Sequence, residues 1–188
     1  MNKRKNLTVR PALILVLVLV MLMSVLVVGC DFNEPVLVGT TPSQSGSSST
    51  GSKNDKATFN VGETAALKDI EVSFVGVTES TGSTYNKPSD GNVYVLCEFN
   101  IVNNSDEEIV VSSLMSFEAY CDDYTCSYSL GALMEKGNKN QLDGTVAAGK
   151  KLSGVIGYEV PADWKELEIT FTPDVWSGKE IVFFAKNN

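Results

Sequence analysis

From residue 57 to the C-terminus, apolar residues recur with a period of two, the spacing of a half-buried strand. The clearest case runs from Val93 to Val102, where Val93, Val95, Cys97, Phe99 and Ile101 share one side. The other side (Tyr94, Leu96, Glu98, Asn100, Val102) is half apolar, which predicts a central strand covered on both faces. Ile70, Val72 and Phe74 share a face in a second strand predicted over 70–77. Further strands are predicted at 109–111, at 116–121 around Phe117 and Ala119, at 152–160 and at 181–185. Leu167, Ile169 and Phe171 mark another, with Pro173 as its expected stop, and 128–134 is a weaker candidate.

Clusters of Gly, Asn, Asp and Pro separate these runs, as at Asn103-Asn104-Ser105-Asp106. No window carries a sustained helical stripe; short helical turns fit near Ser112–Met115 or Ala162–Lys165. Seven to nine short strands with turns between them predict an all-β domain over 57–188, an antiparallel immunoglobulin-like β-sandwich, with a small barrel as the alternative.

The N-terminal part has a different pattern. Lys3, Arg4, Lys5 and Arg10 precede an apolar run from Pro11 to Val28, broken only by Ser24. Leu26-Val27-Val28-Gly29-Cys30 follows, and it resembles the lipobox of bacterial lipoproteins. The resemblance implies a signal peptide over 1–29, cleavage between Gly29 and Cys30, and a thioether from the Cys30 thiol to a diacylglycerol, which gives a palmitate-type membrane anchor. The apolar run is also long enough to span a bilayer, so an uncleaved anchor is the alternative. In both readings the basic end stays cytoplasmic and everything after residue 30 lies on the extracytoplasmic face of the cell membrane.

Residues 30–56 then read as the lipidated Cys and a flexible linker. Thr40 to Asn54 is Ser-, Gly- and Thr-rich with no apolar residue to bury, and no secondary structure is expected there. Such a coil would hold the domain on the order of 30 Å from the bilayer.

Charge narrows the partners. The chain has 15 Lys+Arg and 23 Asp+Glu; the first 29 residues hold four basic and no acidic side chains, so the remainder carries 11 against 23, a net −12. That disfavours nucleic acid and anionic lipid headgroups as partners, because both reward a basic face.

Candidate chemistry is sparse. The chain contains no His. This removes the commonest general base and the usual partner of Ser and Cys nucleophiles. No Gly-x-Ser-x-Gly elbow or Ser-x-x-Lys is found, so no catalytic residue is assigned. Gly144-Thr145-Val146-Ala147-Ala148-Gly149-Lys150-Lys151 nearly matches a phosphate-binding loop, but Lys151 replaces the required Ser/Thr and a strand is predicted next. A hairpin whose turn is supplied by Ala-Gly-Lys is the simpler reading.

Cys121 and Cys126 flank Asp122-Asp123-Tyr124-Thr125, and a four-residue hairpin loop would set them opposite one another as a disulfide. Cys97 is expected as a buried free thiol. Asp122-Asp123 and Asp106-Glu107-Glu108 lack the spacing of a calcium loop and read as solvated turns; no metal and no cofactor is expected. Trp164, Trp176, Tyr85 and Tyr124 could build a sugar-stacking surface, or the two Trp could pack at sheet edges.

Several segments together are similar to a family of Gram-positive lipoprotein domains named only as domain of unknown function 4352. They are Phe59-Asn60-Val61-Gly62-Glu63, Ile70-Glu71-Val72-Ser73-Phe74, the run Val93 to Ser105, Ala148 to Gly154, and Glu159-Val160-Pro161-Ala162-Asp163-Trp164. The resemblance covers nearly all of 57–188 and implies an immunoglobulin-like sandwich. It carries no catalytic residues, and Cys121 and Cys126 lie outside its pattern. The expectation is a non-catalytic binding or interaction module on the membrane, with a protein or an envelope polymer as its partner. The alternatives are a carboxylate-based enzyme or inhibitor acting on envelope polymers, and a purely structural envelope protein.

Overall fold

The computed structural model describes residues 34–40, 57–174 and 179–187. The signal segment, Gly29, Cys30 and Trp176 lie outside them. Among the described residues the chain forms twelve strands and one short helix: β1 (Val36–Thr40), β2 (Thr58–Asn60), β3 (Glu63–Leu67), β4 (Ile70–Ser80), β5 (Asn92–Asn103), β6 (Ile109–Val111), β7 (Phe117–Cys121), β8 (Tyr124–Cys126), α1 (Leu130–Met134), β9 (Gly144–Val146), β10 (Lys151–Pro161), β11 (Glu166–Asp174) and β12 (Lys179–Lys186).

The strands make two five-stranded sheets, β1-β3-β4-β5-β10 and β2-β12-β11-β7-β8, with a separate β6-β9 ribbon. All ladders are antiparallel except β2 against β12, where Thr58, Phe59 and Asn60 run beside Val182, Phe183 and Phe184. This is a β-sandwich, as the alternation predicted.

The core lies where the alternating apolar faces meet. Phe74 of β4 stacks on Phe99 of β5 at 4.6 Å between centroids, and Phe183 of β12 meets both rings edge-on at 5.9 and 5.5 Å. Phe117 of β7 closes the cluster against Phe99 and Phe171. Edge-on and offset rings match the aromatic quadrupole. Losing a buried Phe from such a cluster costs about 3–5 kcal/mol.

The second face of β5 is covered too. Tyr94 and Leu96 are buried beneath Ala132 and Leu133 of α1, together with Val155 of β10. Here the strand expected over 128–134 fails: Tyr128 makes a single bridge to Tyr158, and Leu130–Met134 is a short helix. Ser129 caps it, its hydroxyl accepting from the Ala132 N–H at 3.1 Å. Gly157 lets the helix sit close, because a Cβ there would come within 2.8 Å of the Ala132 Cβ.

Two further corrections concern the N-terminal segment and Pro173. The linker reading fails at Val36–Thr40, which pairs with β3 as an edge strand, Val36 opposite Ala66 and Thr40 opposite Glu63. Pro173 does not stop its strand; it falls at the irregularity between Phe171 and Asp174, where no ladder N–H is required. The turn expected near Ser112 is present: Ser116 N–H donates to the Ser112 carbonyl at 2.8 Å, and the Asp143 carboxylate takes the Ser113 N–H and hydroxyl.

The end of the first sheet near residues 36, 66, 71 and 102 is tied by Asn103, which is fully buried. Its amide donates to the Glu107 and Val146 carbonyls at 2.7 and 2.9 Å, and its Oδ1 accepts from the Ser105 N–H and hydroxyl at 3.0 and 2.6 Å. One side chain thereby joins β5 to the β6-β9 ribbon.

Candidate functional site

At the opposite end of the sandwich the residues with chemical potential come together around β7, β8 and the end of β10. The β7-β8 hairpin is tighter than expected. Asp122 and Asp123 both take left-handed φ, 48° and 69°, and close it in two residues, as a two-residue hairpin turn of the primed type requires. The ladder therefore pairs Cys121 with Tyr124 and Ala119 with Cys126. Cys126 does not oppose Cys121, because the four-residue loop does not exist. The two lie diagonally on one face, and the Cys126 thiol donates to the Tyr124 carbonyl at 3.8 Å.

Cys97, Cys121 and Cys126 are all free thiols here. Cys97 is fully buried on the inner face of β5, in the core where the sequence put it. Burial pushes the Cys126 thiol up to about 12, helped by the neighbouring Cys121. Burial raises Cys97 and Cys121 as well. All three remain protonated at neutral pH, so none is a ready nucleophile. Beside them the Tyr158 hydroxyl is buried with no hydrogen-bond partner among the described residues. Its pKa stands well above the usual tyrosine value, first from burial and then from Cys97 and Cys126.

A cleft of about 780 Å³ opens beside this hairpin, between Tyr124, Cys126, Tyr128, Leu130, Glu159 and Lys165. Tyr124 is 80 % exposed and Leu130 71 %. Of the three carboxylates beside it, Asp122, Glu159 and Asp163, the first two are engaged in the fold. Asp122 accepts from the Lys165 and Glu166 backbone N–H groups at 3.0 and 2.8 Å. Glu159 accepts from the Asn92 side chain at 3.0 Å and the Ser89 N–H at 2.8 Å, and these bonds hold its carboxyl below its ordinary value. The cleft can bury an apolar or aromatic group against Tyr124 and Leu130.

The other candidates disperse. Trp164 is buried, its indole N–H donating to Glu79 at 2.5 Å, so it is no stacking platform. Tyr85 is almost fully exposed, beyond β4. Gly149 (φ 69°) and the Lys150 N–H to Ala147 carbonyl bond form the expected turn, but β9 pairs with β6 and β10 with β5, so the turn joins two ladders and is not a hairpin. Glu107 serves Asn103 through its carbonyl. Among the described residues, no three His, Cys, Asp or Glu side chains are placed to hold a metal ion. Sequence reasoning missed Tyr128 and Leu130 as cleft residues; their signal was the Ser129 cap followed by Leu130, Leu133 and Met134.

The family model described as "Domain of unknown function (DUF4352)" matches residues 59–181. The chain belongs to this family. Among solved structures, the DUF4352 chain resembles the ycdA protein of Bacillus subtilis, provisionally described as a lipoprotein, at 21% identity and TM-score 0.52. The match covers 62% of this chain and 36% of that one, so the chain spans about a third of that protein. It also resembles the yjhA protein of Bacillus subtilis at 18% identity and TM-score 0.52, over 69% of this chain and 99% of that one. These likenesses establish the shared fold. No curated protein matches the DUF4352 chain.

Proposed function

We propose that this DUF4352 protein is a lipid-anchored extracytoplasmic module that binds a partner without chemistry, at the cleft beside β8 and α1. The observation that carries the binding reading is the contrast within that cleft. Asp122 has both oxygens and Glu159 its Oε1 taken by backbone and amide donors, while Tyr124 and Leu130 stand exposed. Exposed aromatic and apolar side chains over a cleft suit a contact surface. A free acid/base pair would have suited a hydrolase. Anchoring is supported by Gly29-Cys30 within a lipobox-like sequence and by the description of ycdA as a provisional lipoprotein.

Two experiments test the two halves. Metabolic labelling with a palmitate analogue should mark the wild-type chain and not Cys30→Ala; equal labelling refutes the anchor. For binding, amide shifts of the folded domain are followed while soluble envelope polymers and envelope peptides are added. Shifts should cluster at Tyr124, Tyr128 and Leu130, and Tyr124→Ala should abolish them. Turnover of an added polymer that Glu159→Gln stops would favour the enzyme reading instead.

A further inference from the structure

We propose that β1 is a membrane-resting edge, with Val36, Leu37 and Val38 lying against the lipid headgroups. The proposal rests on Cys30 being the lipid-bearing residue. Because Val36 is already paired with Ala66, the chain between the anchor and the sheet is not a long spacer. Asp31 to Pro35 alone intervene, and six Cα-to-Cα steps reach at most about 20 Å. The end of the first sheet holding β1 therefore stays near the bilayer surface, whose polar region lies outside an apolar core about 30 Å thick.

The edge has the character such a place needs. Val36, Leu37 and Val38 are 56%, 51% and 50% exposed, three consecutive apolar residues on a strand with β3 as its one ladder partner. An uncovered apolar edge invites unwanted pairing unless something shields it. The charge at its start is balanced, Glu34 meeting the Lys179 ammonium at 3.2 Å. Three side chains are far less than the ~800 Å² per partner of a stable protein interface, which argues against a second copy as the cover. They suit a weak contact that orients a domain already held by its lipid.

The test uses the full lipidated protein in phosphatidylcholine vesicles, with and without bromine on the acyl chains. Leu37→Trp adds an indole at the edge, and Val38→Trp serves as a second probe. Tyr85→Trp is the control; it lies beyond Ser80, eight residues or about 26 Å along β4 from Val72, which is level with Leu37. Emission is read against the unsubstituted protein, which cancels Trp164 and Trp176. Brominated lipid should remove most of the emission added at 37 or 38 and leave that at 85. Unquenched probes at both 37 and 38 on vesicle-bound protein overturn the contact while the anchor stands. Equal quenching at 85 overturns the assignment of the edge. A probe that responds to protein density and not to bromine places a second copy on the edge and also overturns it. Protein recovered free of vesicles overturns the anchor and, with it, the contact.

Discussion

Asn103 and Tyr158 are both buried polar side chains on neighbouring strands, and the molecule treats them in opposite ways. At the end of the sandwich that carries Val36, Asn103 makes four hydrogen bonds, which hold the turn after β5 and tie it to Val146 of β9. Toward the other end, Tyr158 has its ring in the core and a hydroxyl with no partner among the described residues. A satisfied buried amide stabilises because its removal would strand its partners, whereas an unsatisfied hydroxyl is a standing cost. The first end is built to hold together. The second leaves polar and sulfur groups under the hairpin that borders the cleft.

The largest effect that would break this contrast comes from Asn103→Ala. It leaves the Val146 and Glu107 carbonyls without their donor, and urea unfolding should show a loss of about 3 kcal/mol. A loss below about 1 kcal/mol would mean water replaces the amide and the two residues are not opposites. Next comes removal of β1. A chain starting at residue 56 should melt about 3–5 °C below one starting at residue 34, because β3 then loses its edge partner. Equal melts would return residues 31–56 to the simple linker read from the sequence.

Tyr158→Phe sharpens the comparison from the other side. It keeps the ring and removes the stranded hydroxyl, so stability should be unchanged or rise by about 1 kcal/mol. A loss would reveal a hydrogen bond, for instance through water.

A smaller effect concerns acid. The folded-state pKa of Glu159 lies below its ordinary 4.5, so its contribution is full above that value and disappears as pH falls through the lowered one. Glu159→Gln should therefore weaken the domain at neutral pH and flatten the loss below pH 4.5, with the two proteins converging in strong acid. The smallest effect is expected of a Cys121–Cys126 bond, which would now form diagonally and close a very short loop. Non-reducing peptide mapping should find 121 joined to 126 and Cys97 alkylated only after unfolding; Cys97 bonded to either would overturn this pairing.

What could be read from the chain follows physical rules. β4, β5, β7, β10, β11 and β12 were legible because one face of each meets the other sheet, so alternation survives in the sequence. The half-apolar second face of β5 was legible as coverage, yet what covers it was not. Leu130 to Met134 is five residues, too short to show helical periodicity, and its identity depends on Tyr94, Leu96 and Gly157 far along the chain. β1 was hidden because its three apolar residues stay half exposed beside a Ser/Gly-rich stretch. Pairing with β3 makes it a strand; its own pattern does not. The tight hairpin was missed because Asp-Asp is not the usual Asn-Gly or Asp-Gly signature. The cleft is assembled from β8, α1 and β10, and its one local signal, the Ser129 cap before Leu130, does not point to Tyr124 or Glu159.

The parallel pairing of β2 with β12 sets the timetable of folding. Phe59 cannot find Phe183 until almost the whole domain has emerged, so the second sheet cannot be completed until synthesis is nearly finished. Contacts this distant in sequence slow the search for the native state. A chain interrupted before residue 181 would lose β12 and release β2 with it, leaving β11 as a raw edge exposed to aggregation.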